Sequence, residues 1–175
     1  MYGLSFHQQI EALMDIEAYD EIVSRLNEEP ELDQSDFKLH WSLGWSYYKL
    51  QQYEEAAQWL RRAVEIEPFQ FAGYFALGVT LEELGELEEA EGNLRLSLRL
   101  KDSSVARQAL AVVLMEKGAF AEAERVHLDG LQVKPNSADR WEGYADFLSD
   151  TGRESEADKA RLRAQTLRDS DDEED

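Results

Sequence analysis

The residues of this chain best suited to proton transfer or metal ligation near neutral pH are its three histidines, His7, His40 and His127. They lie far apart in sequence. None has the i, i+4 partner that would place two ring nitrogens on one helix face for zinc, so each reads as a surface or satisfied core position. The acidic pairs Glu54-Glu55 and Glu88-Glu89 have the side chains of an acid/base dyad. They recur, however, where helices begin, and carboxylates there complement the helix dipole. The chain contains no cysteine, which removes disulfides, thiolate metal sites and cysteine nucleophiles. No phosphate-binding loop, dinucleotide-binding glycine pattern or nucleophile elbow is present. The expectation is a protein that is not an enzyme and has no cofactor and no metal. What remains with binding chemistry is aromatic: Trp41, Trp45, Tyr48 and Phe75.

The elements holding those residues must be helical. Of 175 residues only 3 are proline and 10 glycine, and the rest is rich in good helix formers. A hydrophobic content of 43% suits a folded domain, so the charge does not imply wholesale disorder. The net charge of −20 argues against nucleic acid and against anionic membrane surfaces, and favours a partner with basic flanks. The start, Met1 to His7, has no basic region ahead of an apolar run, and no run approaches spanning length. The expected setting is cytoplasmic.

A period runs through the chain. Leu43-Gly44 returns as Leu77-Gly78, Leu110-Ala111 and Tyr144-Ala145, at spacings of 34, 33 and 34. Ala56, Ala90, Ala123 and Ala157 keep step, as do Tyr53, Leu87 and Phe120. Pro68 and Pro135 close two of the repeats; the short interval falls near Asp102, where one residue and the proline are missing. Three markers slipping together by one residue identify a true repeat. Within it, helical periodicity covers Phe37 to Leu50, breaks at Gln51-Gln52-Tyr53, and resumes from Glu54 to about Glu65. Gly85, Gly118 and Gly152 occupy the same turn in later repeats, where positive φ ends a helix without strain. Ser104 and Ser137 are expected to be N-caps.

These residues resemble the tetratricopeptide repeat (TPR) family, a 34-residue helix–turn–helix with small residues where helices cross. Repeats are counted from Phe37, Phe71, Ser104 and Ala138. The family's Ala at position 20 then recurs in all four, its Leu-Gly/Ala pair at positions 7 and 8 approximately so, with Tyr144 in place of Leu in the last, and its closing proline in two. The resemblance implies an all-α, right-handed superhelix of antiparallel helix pairs. Its divisions are a degenerate helix pair and linker at 1–36, repeats at 37–70, 71–103 and 104–137, a capping repeat at 138–168, and a disordered acidic tail at 169–175. Lys159, Arg161 and Arg163 are expected near the C-terminal half of the capping helix, Arg153 to Leu167, where they suit its dipole.

In this family the first helix of each pair lines a concave groove through positions 2, 5, 9, 12 and 13. Here that implies Lys38, Trp41, Trp45, Tyr48 and Lys49, then Ala72, Phe75, Val79, Glu82 and Glu83. Val105, Gln108, Val112, Met115 and Glu116 follow, then Asp139, Glu142, Asp146, Ser149 and Asp150, with His7, Glu11, Met14 and Asp15 from the degenerate pair. The aromatic centre is the functional expectation, since Trp and Tyr anchors dominate binding hot spots and an open apolar stripe invites cover. Packing against the neighbouring repeat is the competing account of Trp41 and Trp45, and it is the preferred account of Tyr47, Tyr74 and Trp141. The basic clamp with which some TPR modules grip chaperone carboxyl termini is replaced by Trp41, Trp45, Ala76, Val105 and Ala109, which argues against a carboxylate-terminated partner. The implied function is an adaptor that binds an apolar peptide or helix with basic flanks. A secretion-type chaperone for an exported client is one alternative, and a homo-oligomer assembled through the same stripe is another.

Overall fold

The computed structural model describes residues 5–28 and 35–172, with side chains described to residue 170. Among the described residues there are ten helices and no strand, in two compact units spanning residues 1–100 and 101–175. The first unit holds α1 (Phe6–Asp15), α2 (Tyr19–Glu28), α3 (Phe37–Lys49), α4 (Tyr53–Ile66), α5 (Phe71–Glu83) and α6 (Leu87–Leu100). The second holds α7 (Ser104–Glu116), α8 (Phe120–Val133), α9 (Ala138–Asp150) and α10 (Glu154–Asp172).

Each hairpin turns through one left-handed residue. Gly85, Gly118 and Gly152 sit at φ of 74°, 76° and 76°, as the spacing predicts; the two earlier turns place Glu17 (55°) and Gln51 (60°) there instead. In every case the next amide reaches back five residues, as from Glu86 to the Leu81 carbonyl (2.9 Å) and from Gln52 to that of Tyr47 (2.9 Å). This closes orphan carbonyls at the helix end. At helix starts, Ser5 and Gln8 form a reciprocal capping box, and Asp36 accepts the Leu39 amide at 3.1 Å. The serine caps expected in the second unit differ. Ser103, in extended backbone, is the cap of α7 and Ser104 is its first helical residue; Ser137 does cap α9 by position, but neither cap side chain bonds the helix amides.

The small residues mark the closest helix approaches. A Cβ on Gly44 would lie 2.6 Å from Leu60 Cγ, and one on Gly78 would lie 2.6 Å from Leu94 Cγ. Both leucines are fully buried, as are Ala56 and Ala90 beside them. Where position 8 is alanine, at Ala111 and Ala145, the residue sixteen later is no longer leucine but His127 and Arg161. Gly78→Ala is therefore expected to destabilise by about 2 kcal/mol through overpacking. Urea unfolding should give a Gly78→Ala/Leu94→Ala double variant that loses less than the sum of its parts; strict additivity would disprove the contact.

Polar pairing organises the second unit. Asp102 accepts from Arg107 Nε (2.8 Å) and from Arg140 Nη2 (2.7 Å). Arg107 Nη1 also donates to the Val126 carbonyl (3.0 Å), and Arg140 Nη1 to that of Gly130 (2.6 Å). Burial pushes the Asp102 carboxyl up, but the hydrogen bonds from Arg140 and Arg107 outweigh it and hold the group below its ordinary value. Glycine at 130 leaves room for the Arg107 stem, which a Cβ would meet at 2.8 Å.

The final helix departs from expectation. α10 runs to Asp172, past the boundary placed at 168, so residues 169–172 of the acidic tail are helical. Leu167 is buried, Arg168 pairs with Glu142, and Gln165 Nε2 donates to Asp169 at 2.6 Å, which together supply the anchor that composition hides. Lys159, Arg161 and Arg163 consequently fall in mid-helix and the last turn holds no base, so the dipole role given to them does not apply. The tail residues 173–175 lie outside the described residues, as do 1–4 and 29–34 of the helix pair and linker expected at 1–36.

Candidate functional site

In the first unit α3 packs against α1 and α5, and the aromatic residues gather on this face. The rings of Trp41 and Trp45 lie 6.0 Å apart and 5° from parallel; Trp45 and Tyr48 stack at 5.0 Å and 22°. Phe75 joins from α5, 6.5 Å from Trp45. Helical spacing brings the first three together, since residues 41, 45 and 48 share one face. Trp41, Trp45, Tyr48 and Phe75 are half-buried. Trp41 is also fixed at its edge, its Nε1 donating to the Ala72 carbonyl at 3.3 Å. The stripe thus supports the neighbouring helix while part of each ring stays open.

One expected groove residue is not available. Val79 is 8% exposed and belongs to the core, whereas Val112 at the same repeat position is 38% exposed. Tyr53 is an addition, its ring 5.7 Å from Tyr48 at 54°. Its signal was the large residue recurring at 53, 87 and 120. Burial raises the Tyr48 phenol, and the carboxylates of Glu83 and Glu82 raise it further; the Tyr53 phenol rises through desolvation and the same two carboxylates. The aromatic face therefore ends in negative potential. Lys49 lays its ammonium over the Tyr19 ring (5.7 Å) and the Trp45 ring (5.9 Å), showing that these rings accept a cation.

Toward α1 the face deepens into a pocket of about 410 Å³ lined by Ile10, Met14, Leu39 and Trp41, with Glu11, Asp15, Lys38 and His7 at its polar edges. Lys38 is paired with Glu11 at 3.1 Å and His7 with Asp36 at 2.5 Å. Burial acts to raise the Asp36 carboxyl, but hydrogen bonds from His7 and the Leu39 amide prevail and lower it. The structure thus brings together Lys38, Trp41 and the groove residues expected of the degenerate pair.

In the second unit Gln108 and Val112 of α7 and Glu142 and Asp146 of α9 form a separate face. A hollow of about 240 Å³ is lined by Val105, Gln108, Asp139, Glu142 and Asp146 together with Ser104 and Gly143. Val105 is 57% exposed. Arg168, which the repeat pattern did not flag, pairs with Glu142 and lies 3.9 Å from Asp139, so this face is less acidic than its α9 residues suggest.

The remaining sequence candidates are structural. His40 is fully buried, its Nδ1 donating to the Asp36 carbonyl at 2.8 Å, its Nε2 without a partner, its ring 5.6 Å from Trp59. His127 is buried between Tyr144 and Phe147, at 6.0 and 5.4 Å, and burial followed by the nearby Arg107 charge lowers its pKa to about 4. Tyr47, Tyr74 and Trp141, assigned to the core, are half-buried: their rings pack while Tyr47 Oη accepts from Asn27 (2.8 Å) and Trp141 Nε1 donates to the Pro135 carbonyl (2.8 Å). Among the described residues no group of acidic or histidine side chains is placed to hold a metal, and no helix is long and apolar enough to cross a membrane.

Comparison with known families identifies the helix pairs between residues 44 and 103. A TPR repeat model matches residues 44–85, and a tetratricopeptide repeat model matches residues 72–103. Residues 44–103 of the chain are tetratricopeptide repeats. The fold of the chain is that of an all-α TPR solenoid. A crystal structure of MamA is similar over 98% of this chain and 99% of that one, at 16% identity and a TM-score of 0.74. MamA of MSR-1 is similar over 94% and 95%, at 21% identity and a TM-score of 0.69. YrrB, described as a TPR protein with an unusual peptide-binding site, is similar over 90% and 82%, at 18% identity and a TM-score of 0.66. At these identities the likeness is one of fold. No curated protein matches by sequence.

Proposed function

We propose that this TPR protein is a protein-interaction scaffold whose first unit holds an apolar segment of its partner against Trp41, Trp45, Tyr48 and Phe75. The observation that carries the reading is a preorganised, half-open aromatic stack bordered by Glu82 and Glu83. Rigid aromatic anchors lose little side-chain entropy on binding, and adjacent carboxylates favour basic flanks on the segment. The peptide-binding site of YrrB, a protein of similar fold, lends support to a peptide ligand. The face bearing Gln108, Val112, Glu142 and Asp146 offers a second surface for basic residues, within the limits set by Arg168.

The test is affinity capture with wild type and a Trp41→Ala/Trp45→Ala variant, followed by calorimetric titration of a captured segment. Trp45→Ala alone is expected to weaken binding by about 2 kcal/mol, roughly thirtyfold, with little change in helicity or melting. Equal losses of stability and binding would reassign Trp45 to the core.

A further inference from the structure

The pocket between α1 and α3 differs in chemistry from the open aromatic stack beside it. Its floor is apolar and fixed: Ile10 and Leu39 are buried, Met14 lines one side, and Trp41 is held both by its bond to the Ala72 carbonyl and by Trp45. Its edge carries two carboxylates one turn apart on α1, Glu11 and Asp15. The two basic side chains that face it are already engaged, Lys38 with Glu11 and His7 with Asp36. Asp15, among the described residues, pairs with no cation. A hollow of about 410 Å³ with an oily floor, an indole wall and an unneutralised carboxylate at the lip suits a side chain with an apolar stem and a cationic head.

Resting on the reading of this face as the partner-binding site, we propose that the α1–α3 pocket receives an arginine of the bound segment. Its stem lies over Ile10, Met14 and Leu39, its guanidinium stacks on Trp41 and its N–H groups donate to Asp15. Arginine suits the site better than lysine because a planar, weakly hydrated guanidinium stacks on indole and donates in a fork that a carboxylate accepts. The charge of the chain, −20, draws such a segment in. Lys38, exposed beside Glu11, can swing away without breaking a buried contact.

The experiment uses the full chain and two isosteric probes, N-acetyl-arginine methylamide and its citrulline counterpart, titrated in physiological salt while the Trp41 indole N–H is followed by nuclear magnetic resonance. The arginine probe should shift that resonance saturably and bind at least fivefold tighter than citrulline. Asp15→Asn should abolish the difference, and Glu65→Gln, an exposed carboxylate on α4 outside either face, should leave it intact. Equal binding of the two probes, no saturable shift, or tighter binding of a phenylalanine amide would each overturn the assignment. The readout is independent of the partner: a Trp45→Ala variant that still captures partner normally would sink the proposed function while leaving this subsite standing.

Discussion

Asp102→Ala is expected to destabilise the second unit by about 3 kcal/mol, because the substitution removes the one carboxylate shared by two arginines. Arg140 is almost wholly buried, with 4% of its side chain exposed, and Arg107 is nearly so at 16%. Deleting one member of a buried ion pair leaves a charge that the surrounding protein cannot solvate, and that cost exceeds the net worth of the pair. Asp102→Asn, which retains an acceptor oxygen, should lose less. Replacing Asp102 and Arg140 together with apolar residues should recover much of the loss. Urea unfolding followed by amide exchange in α7–α10 distinguishes these outcomes; a loss below 0.5 kcal/mol for Asp102→Ala would mean that water, not Asp102, stabilises the arginines.

Mild acid is expected to weaken the same unit through His127. Its folded pKa of about 4 lies below the ordinary 6.5, so above pH 6.5 the ring is neutral whether the chain is folded or not, and its contribution is fully present. As the pH falls from 6.5 toward 4 the unfolded chain takes up a proton that the folded chain refuses, and stability declines. Once the folded ring also protonates, near pH 4, the decline from this group stops. The gap between the two values corresponds to about 3 kcal/mol. The depressed carboxyls of Asp102 and Glu124 add losses at lower pH, as they are protonated. The pairing of position 8 with the residue sixteen later suggests a variant, Ala111→Gly/His127→Leu, that copies the Gly44/Leu60 and Gly78/Leu94 contacts without a titrating ring. Its unfolding free energy should be flatter than wild type between pH 6.5 and 4; parallel curves would show that His127 is not the group responsible.

The helix pairs were legible because their determinants are local and recur. Glycine in the hairpin turns, Gly or Ala at position 8 and Ala at position 20 each answer a constraint that every repeat meets. The surroundings were not, because they depend on which neighbour a position faces. Val79 and Val112 share a repeat position, yet one is core and the other open. The Asp102–Arg107–Arg140 group joins residues that fall outside the repeat pattern at the very junction where a residue is missing, so periodicity could mark the irregularity without revealing its repair. The helical continuation to Asp172 was hidden by composition: an acidic run reads as solvated, and only the packing of Leu167 and the reach of Arg168 show why it stays wound. Trp41 and Trp45 fall between the two accounts, since each ring both braces a helix and leaves surface open.

The glycine–leucine contacts also limit how such a protein can diversify. Two helix hairpins carry a matched lock and key, Gly44 with Leu60 and Gly78 with Leu94, and joining the second helix of either to the first helix bearing Ala111 or Ala145 would pair a leucine key with an alanine lock too shallow for it. Crossovers within a hairpin are therefore confined to exchanges between these two repeats, and shuffling with the later ones would trade whole modules.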